Sequence, residues 1–163
     1  MISVSKRFLF VHIPRTGGNS IQSLLRNYSE DEIVIARERQ DGIERFGIRS
    51  SHPNLRKHST LAEYRAALGE ERFGTLYKFA SVRNPWDRMI SYYFGTGPET
   101  PSWNRDAFEK LVRETAPVPD YLRLEKEADP FVNVNRILRF ELGRRVSRAL
   151  RRSQNPGTIL AQI

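Results

Sequence analysis

The feature that most constrains the fold is the stretch from Phe8 to Leu25, FLFVHIPRTGGNSIQSLL. It opens with an apolar run, Phe8–Val11, of the residue types that favour β-strands. Pro14 and two glycines then interrupt the run as turn signals, and the later apolar residues have the spacing of one helical face. The sequence therefore predicts a strand, a tight glycine loop and a helix, in that order.

The predicted loop has the features of an anion site. In such a turn the unpaired backbone N–H groups and the positive end of the helix dipole point at one place, where a phosphate or sulfate binds. Arg15 adds a permanent positive charge with a planar set of donors. The loop is not a Walker A motif, because Gly18-Asn19-Ser20 stands where that pattern has Gly-Lys-Ser. An ordinary strand-to-helix turn is the alternative interpretation.

Composition narrows the class of protein. The 163 residues suit a single domain over residues 1–163, and the absence of cysteine excludes disulfides and thiolate metal sites. The net charge of +8 indicates an anionic partner, such as a nucleotide, a nucleic acid or a sulfated or phosphorylated substrate. No nucleic-acid-binding motif is recognisable, so we expect no nucleic-acid partner. Because no apolar run resembles a signal peptide or a membrane span, we expect a cytoplasmic protein.

A second strand, predicted over residues 76–82, leads directly into another helix start. Asn84 can cap this helix, Pro85 suits its first turn, and Asp87 places an acid near the positive end of the dipole. We expect the helix to end near Phe94, before a turn rich in glycine and proline.

The remaining elements are predicted from shorter signals. A strand is predicted at 33–36, followed by an irregular surface loop over 37–57. A helix then starts at Thr60, with Glu63 in a capping box, and stops at Gly69, and a second helix at 106–115 is expected to bury Phe108, Leu111 and Val112. A strand within 132–140, a helix at 142–152 and a loop-like end complete the chain. Strands separated by helices predict an α/β fold with a central, mainly parallel sheet. Ligands bind beyond the carboxyl ends of such strands, so two anion loops at one edge predict a ligand with two separate anionic groups.

Two motifs resemble those of a known family. Residues 10–20, FVHIPRTGGNS, resemble the 5′-phosphosulfate loop of the sulfotransferases that use 3′-phosphoadenosine 5′-phosphosulfate (PAPS). The carbohydrate sulfotransferase-like branch carries the similar signature His-Ile-Pro-Lys-Thr-Gly-Gly. Residues 79–93, FASVRNPWDRMISYY, resemble the 3′-phosphate-binding segment of that branch, and residues 136–141 resemble a later strand more weakly. The two motifs occur in the family's order, and each follows a predicted strand.

The resemblance implies a three-layer, P-loop-like fold in which helices flank the sheet. It also implies transfer of a sulfuryl group from PAPS to a hydroxyl or amine, with a carbohydrate among the acceptors and no metal ion. Three departures stand out. Arg15 replaces the usual lysine, and Asn133 and Asn135 lie near the place where the family commonly has an aspartate before the later strand. The chain also has fewer residues after the last predicted strand than family members usually have.

The resemblance also implies the residues of the site. Arg15 and His58 are the predicted catalytic residues. The predicted donor-binding residues are Arg15, Thr16, Gly17, Gly18, Asn19 and Ser20 on the 5′ side, with Arg83 and Ser91 for the 3′-phosphate. The neighbouring Arg88 is interpreted either as a further ligand or as a structural residue, and Trp86 is expected in the core.

His58 is the predicted general base. It stands in a Lys-His-Ser segment like that of the branch, and the ordinary imidazole pKa of about 6.5 suits a base. The alternative is a surface histidine beside a helix, with His52 or a carboxylate as the base. His12 lies inside the first motif and is expected to be packed and hydrogen-bonded.

Two other functions remain open at this point. A P-loop kinase would need a lysine before Ser20 and a magnesium-binding aspartate, and neither is recognisable. A shortened, non-catalytic relative would hold a nucleotide or an anionic glycan, with the arginines of residues 144–152 as a candidate surface.

Overall fold

The computed structural model of the protein describes residues 1–35, 46–95, 101–126 and 128–142. Its strands are β1 (Ile2–Ser3), β2 (Phe8–Val11), β3 (Glu32–Ile35), β4 (Phe46–Arg49), β5 (Tyr77–Val82) and β6 (Arg136–Arg139). Its α-helices are α1 (Gly18–Leu25), α2 (Leu61–Leu68), α3 (Glu70–Thr75), α4 (Pro85–Gly95) and α5 (Arg105–Glu114).

The central sheet has the order β1-β2-β5-β6. Strand β2 pairs with β5 in parallel, β5 pairs with β6 in parallel, and the short β1 runs antiparallel to its neighbour β2. The prediction of an α/β fold with a mainly parallel central sheet is confirmed. The carboxyl ends of β2, β5 and β6 therefore meet at one edge, where Val11 lies beside Ala80 and Val82 lies beside Arg139.

Both faces of β2 are buried, as is usual for a central strand of a parallel sheet. Leu9 and Val11 belong to one apolar cluster, whose other members include Leu61, Tyr64 and Leu68 of α2. Phe8 and Phe10 belong to the other cluster, with Leu25 of α1, Phe79 of β5 and Leu138 of β6. The alternation of side chains along β2 thus supplies both clusters, and the glycine loop that follows it starts from a fixed position.

Several local signals are confirmed. Thr60 and Glu63 form the predicted capping box of α2, and the helix ends at Gly69. Asn84 caps α4, because its Oδ1 accepts from the backbone N–H groups of Trp86 at 3.0 Å and Asp87 at 3.4 Å. No helix in the described ranges is long and apolar enough to cross a membrane.

The predicted irregular loop over 37–57 is wrong for residues 46–49, which form β4. This strand pairs antiparallel with β3 in a separate two-stranded sheet. Only Phe46 and Ile48 alternate with smaller or charged residues, a signal too short to stand out without its partner strand. Helix α3 was missed for a similar reason, because Phe73 is its only buried residue.

The later part of the chain needs two further corrections, and two of its predictions fall outside the described residues. The strand predicted within 132–140 is confined to β6, because residues 130–133 form a 3₁₀ turn that the Asp129 carboxylate caps at Phe131. In α5, Phe108 and Leu111 are only half-buried, and Val112 is exposed. The predicted helix at 142–152 lies outside the described residues except for its first residue, which ends a 3₁₀ turn, and the loop-like end lies wholly outside them.

Two glycines around α3 give a matched test of the backbone. Gly69 has φ 77° and ψ 157°, a region that is nearly restricted to glycine, whereas Gly74 lies inside α3. A Cβ at either position would meet nothing within 4 Å. We expect Gly69→Ala to lower the free energy of unfolding by about 1–3 kcal/mol through strain, and Gly74→Ala to raise it by about 0.5–1 kcal/mol. Urea unfolding of both variants measures this, and shifts of the same sign would contradict the assignment.

Candidate functional site

The loop between β2 and α1 is held to β5 by a buried threonine. Thr16 Oγ1 donates to the carbonyl of Ile13 at 2.7 Å, so it accepts from the Ser81 hydroxyl at 2.8 Å. Arg15 and Gly17 both adopt positive φ, 66° and 82°, which folds the loop back before the helix starts. The Thr16 side chain is therefore used within the loop, and its backbone is the part that remains for an anion.

The two glycines of the loop each accommodate an aromatic ring. A Cβ on Gly17 would lie 2.5 Å from Cδ2 of Phe140, and a Cβ on Gly18 would lie 2.0 Å from Cδ2 of His12. Neither ring could keep its place beside any other residue type. The glycine pair thus serves the packing of these two rings, a requirement that was not predicted from the sequence.

Arg15 joins the two motifs that the sequence singled out. Its Nη2 donates to the carbonyl of Ser91 on α4 at 2.6 Å, and its Cζ lies 5.6 Å from the centroid of the Tyr92 ring. The absence of a side chain at Gly95 makes room for the guanidinium, because a Cβ there would lie 2.1 Å from Nη2. The arginine of the first motif is therefore in direct contact with the helix of the second.

Arg88 is a structural residue. It is buried, its Nε donates to the carbonyl of Pro14, and both Nη atoms donate to the carbonyl of Ala116, each at 3.1 Å. These bonds tie α4 to the glycine loop and to the segment after α5. They use donors from all three guanidinium nitrogens, so carbonyl oxygens of the protein compensate for the burial of this charge.

Arg83 has a different environment. It is half-buried, and its guanidinium lies over the ring of Phe140 with Cζ 4.4 Å from the ring centroid. Its Nε is buried without a hydrogen-bond partner among the described residues. A cation held by a ring rather than by carbonyl oxygens keeps its donor capacity, and it therefore fits an anion that the protein itself does not supply.

His12 is buried, and its Nδ1 donates to the amide oxygen of Gln22 at 2.8 Å. Burial holds the pKa of His12 well below its usual value, and the nearby His58 and Lys57 lower it further. His12 is the packed, hydrogen-bonded histidine that the sequence predicted.

His58 lies against the end of β2. Its Nδ1 donates to the carbonyl of His12 at 3.0 Å, and the two imidazole rings are 4.6 Å apart in an edge-to-face arrangement. Because a carbonyl only accepts, Nδ1 carries the hydrogen, and neutral His58 has its lone pair on Nε2. Partial desolvation lowers the pKa of His58, with an opposing effect from the His12 carbonyl and a further lowering by the charge of Lys57.

The structure brings together residues that the sequence places far apart. Arg15 and Ser91 are in contact, and the ring of Phe140 contacts both Arg83 and Gly17. His58 is hydrogen-bonded to His12, the residue that follows β2. Asn19 and Ser20 lie in the first turn of α1, half-buried and exposed respectively. His52 lies in the turn after β4, where its backbone bonds to Ser50 and Leu55.

Sequence reasoning misplaced one aromatic residue and missed others. Trp86 was expected in the core, but 71% of its surface is exposed, and its neighbours Pro85 and Asp87 in the first turn of α4 are exposed as well. Phe140, Glu141 and Gln22 were not recognised as part of the site. The parallel register could have indicated Phe140, since it follows β6 just as Arg83 follows β5.

The contrast between the two arginines gives a test. We expect Arg88→Met to lower the free energy of unfolding by about 2–4 kcal/mol, because two carbonyls lose charged donors. We expect Arg83→Met to lower it by less than about 1 kcal/mol, because only a partly exposed contact with a ring is lost. Urea unfolding of the two variants checks the difference, and equal losses would contradict the separation of roles.

Comparison with known proteins gave one match, to a family model. Neither the curated proteins nor the solved structures include a match to the chain. The model of the sulfotransferase family matches residues 1–117, which contain the glycine loop, Arg83 and helix α4. The match spans most of the chain and supports sulfotransfer activity in general, and the protein belongs to the sulfotransferase family.

Proposed function

We propose that this protein transfers a sulfuryl group from PAPS to a hydroxyl or amine, with a carbohydrate as the first acceptor class to test, on a three-layer, P-loop-like fold. The observation that carries the proposal is the contact of Arg15 with Ser91, which joins the first predicted anion loop to the helix that follows the second. A donor with phosphate groups at two positions needs two such loops side by side.

The 5′ side of the donor fits the glycine loop. The backbone N–H groups of residues 16–20 and the start of α1 supply a positive field without a metal ion. Arg15 belongs to this loop, and its bond to Ser91 uses one of the five donors that a guanidinium carries. We assign Arg15 to the sulfuryl group and the bridging oxygen, where negative charge develops during transfer.

The 3′-phosphate fits the second loop. Arg83 offers a guanidinium whose buried Nε has no hydrogen-bond partner in the described ranges, and a bound phosphate would compensate for its burial. Ser91 of α4 is the second proposed ligand. Arg15 holds Ser91 close to the glycine loop by donating to the Ser91 carbonyl. The observed chemistry of these residues suits a bisphosphorylated nucleotide.

In the transfer step we assign His58 as the general base. The bond between sulfur and the bridging phosphate oxygen breaks, a bond from sulfur to the acceptor oxygen or nitrogen forms, and His58 Nε2 takes the acceptor proton. The hydrogen bond from Nδ1 to the His12 carbonyl fixes the ring in the tautomer that leaves Nε2 as the acceptor. A lowered pKa keeps His58 neutral near pH 7, so the base is ready without prior deprotonation.

Ligand preference tests the proposed donor site. Adenosine 3′,5′-bisphosphate fills both loops, whereas AMP fills one and leaves Arg83 without an anion. We expect the bisphosphate to raise Tm more than AMP at equal concentration and without magnesium, since a ligand at a hundred times its Kd adds about 2.7 kcal/mol of stability. Arg83→Ala should erase the difference, while Arg72→Ala, at an exposed position on α3, should keep it.

Two other results would replace the proposal. A kinase would be stabilised best by magnesium with ATP. A non-catalytic binding protein would respond to heparin-like polyanions and to neither nucleotide.

Turnover tests the base. We expect His58→Ala to lower kcat by about 100- to 10,000-fold with little change in PAPS affinity, because a base acts on the acceptor and not on the nucleotide. His52→Ala is the matched control and should stay near wild type.

The pH profile of wild-type kcat should rise with increasing pH and level off, since only neutral His58 accepts a proton. Its midpoint should lie below the usual imidazole value of 6.5, because the pKa of His58 is lowered. Kinetics between about pH 5 and pH 8 measure this midpoint.

The His58→Ala variant has one contradicting outcome. Loss of PAPS binding together with turnover would make His58 a ligand or a structural residue instead of the base.

A further inference from the structure

The side chain of Phe140 contacts a residue of each proposed phosphate loop, Arg83 and Gly17. Strand β6 ends at Arg139, which lies beside Val82 in the parallel register. Phe140 therefore leaves β6 at the level where Arg83 leaves β5. The carboxyl edge of the sheet places an aromatic ring next to the cation of the proposed 3′ site.

The ring has two different neighbours. Arg83 lies over the ring with Cζ 4.4 Å from the centroid, and the Cα of Gly17 is so close that a Cβ there would lie 2.5 Å from Cδ2 of Phe140. The first contact orients the guanidinium of the 3′ site. The second contact seats the same ring on the left-handed turn of the 5′ loop. One side chain thus separates and aligns the two proposed subsites.

The backbone around Phe140 is fixed at both ends of β6. Asn135 exchanges two hydrogen bonds with the backbone of Lys78 at the start of β6, one from its N–H to the carbonyl and one from the Lys78 N–H to its Oδ1, each 2.7 Å long. Glu141, the next residue after Phe140, accepts from the N–H of Asn84 at 2.6 Å. This bond is the main reason why the pKa of Glu141 is lowered, and the charge of Arg83 contributes. The ring therefore cannot shift along the sheet without breaking these bonds.

We propose that Phe140 is a positioning residue that determines the preference for a bisphosphorylated nucleotide over a monophosphorylated one. The inference rests on the proposed function. The ring holds the Arg83 guanidinium at a fixed distance from the glycine loop, so that a ligand with two anionic groups of matching separation meets both sites without rearrangement. A flexible Arg83 would lose part of the affinity for the second phosphate, because binding would first have to order its side chain.

The experiment compares two ligands on matched variants by calorimetry. Phe140→Leu keeps an apolar side chain but removes the aromatic face, and Phe140→Tyr keeps the ring as the conservative rescue. Phe131→Leu is the control, because Phe131 precedes β6 and has the same exposed fraction as Phe140, 41%. Phe140→Met replaces the leucine variant if thermal unfolding shows that the latter is not folded.

We expect Phe140→Leu to weaken binding of adenosine 3′,5′-bisphosphate by about 3- to 10-fold, the range of one lost cation–π contact. AMP affinity should change by less than about twofold, because AMP does not use Arg83. Phe140→Tyr and Phe131→Leu should bind both ligands like the wild type. In the Arg83→Met background, Phe140→Leu should cause no further loss, because the residue it positions is absent.

The outcomes separate the two proposals. Equal weakening of both ligands would make Phe140 a general structural residue or a contact of the nucleoside, and it would overturn the inference. A loss that persists in the Arg83→Met background would do the same. If the wild type prefers the bisphosphate and Phe140→Leu keeps that preference, only this inference is overturned. If the wild type itself shows no preference, the proposed function fails and this inference fails with it.

Discussion

The candidate site depends on the parallel pairing of β2 with β5. Four residue pairs, from Phe8 with Tyr77 to Val11 with Ala80, set the relative position of the two strands. Since both faces of β2 are buried, a slip of one residue would move every side chain into the wrong cluster. The register therefore fixes where both loops begin, and the bond between Thr16 and Ser81 then locks the first loop to the second strand. The contacts of Arg15 with α4 are a consequence of this arrangement.

Three arginines of the site show that charge alone does not identify a ligand. Arg88 donates to two carbonyls and ties backbone segments together, and Arg15 combines a carbonyl contact with a place in the glycine loop. Arg83 rests on the ring of Phe140 and has a buried nitrogen without a partner among the described residues. The net charge of +8 indicates an anionic partner, but only the acceptors around each guanidinium tell which arginine is available to bind it.

Much of the local structure could be predicted, because its causes lie within a few residues. The capping box at Thr60, the cap at Asn84 and the strand–loop–helix of the first motif are examples. The partners of Gly17 and Arg88 could not be predicted, because Phe140 and Ala116 are distant in the sequence and only the folded sheet brings them near. Resemblance to a family, and not spacing, pointed to His58. The family match itself ends at residue 117, so Phe140, whose ring contacts Arg83 and packs against Gly17, lies in a part of the chain that the match does not cover.

His12 and His58 both have a pKa below the usual imidazole value. Burial lowers the pKa of His12, so the unfolded chain, in which the pKa is near its usual 6.5, takes up a proton that the folded chain refuses. The contribution of neutral His12 to the free energy of unfolding is therefore fully present above pH 6.5. It decreases as the pH falls below this value, by up to about 1.4 kcal/mol per pH unit for one proton. His58, hydrogen-bonded to the His12 carbonyl, would lose its basic form in the same direction of pH. Acid would thus weaken the structure around His58 and also protonate the proposed base, so the folded fraction has to be measured at each pH before a kinetic midpoint is assigned to His58.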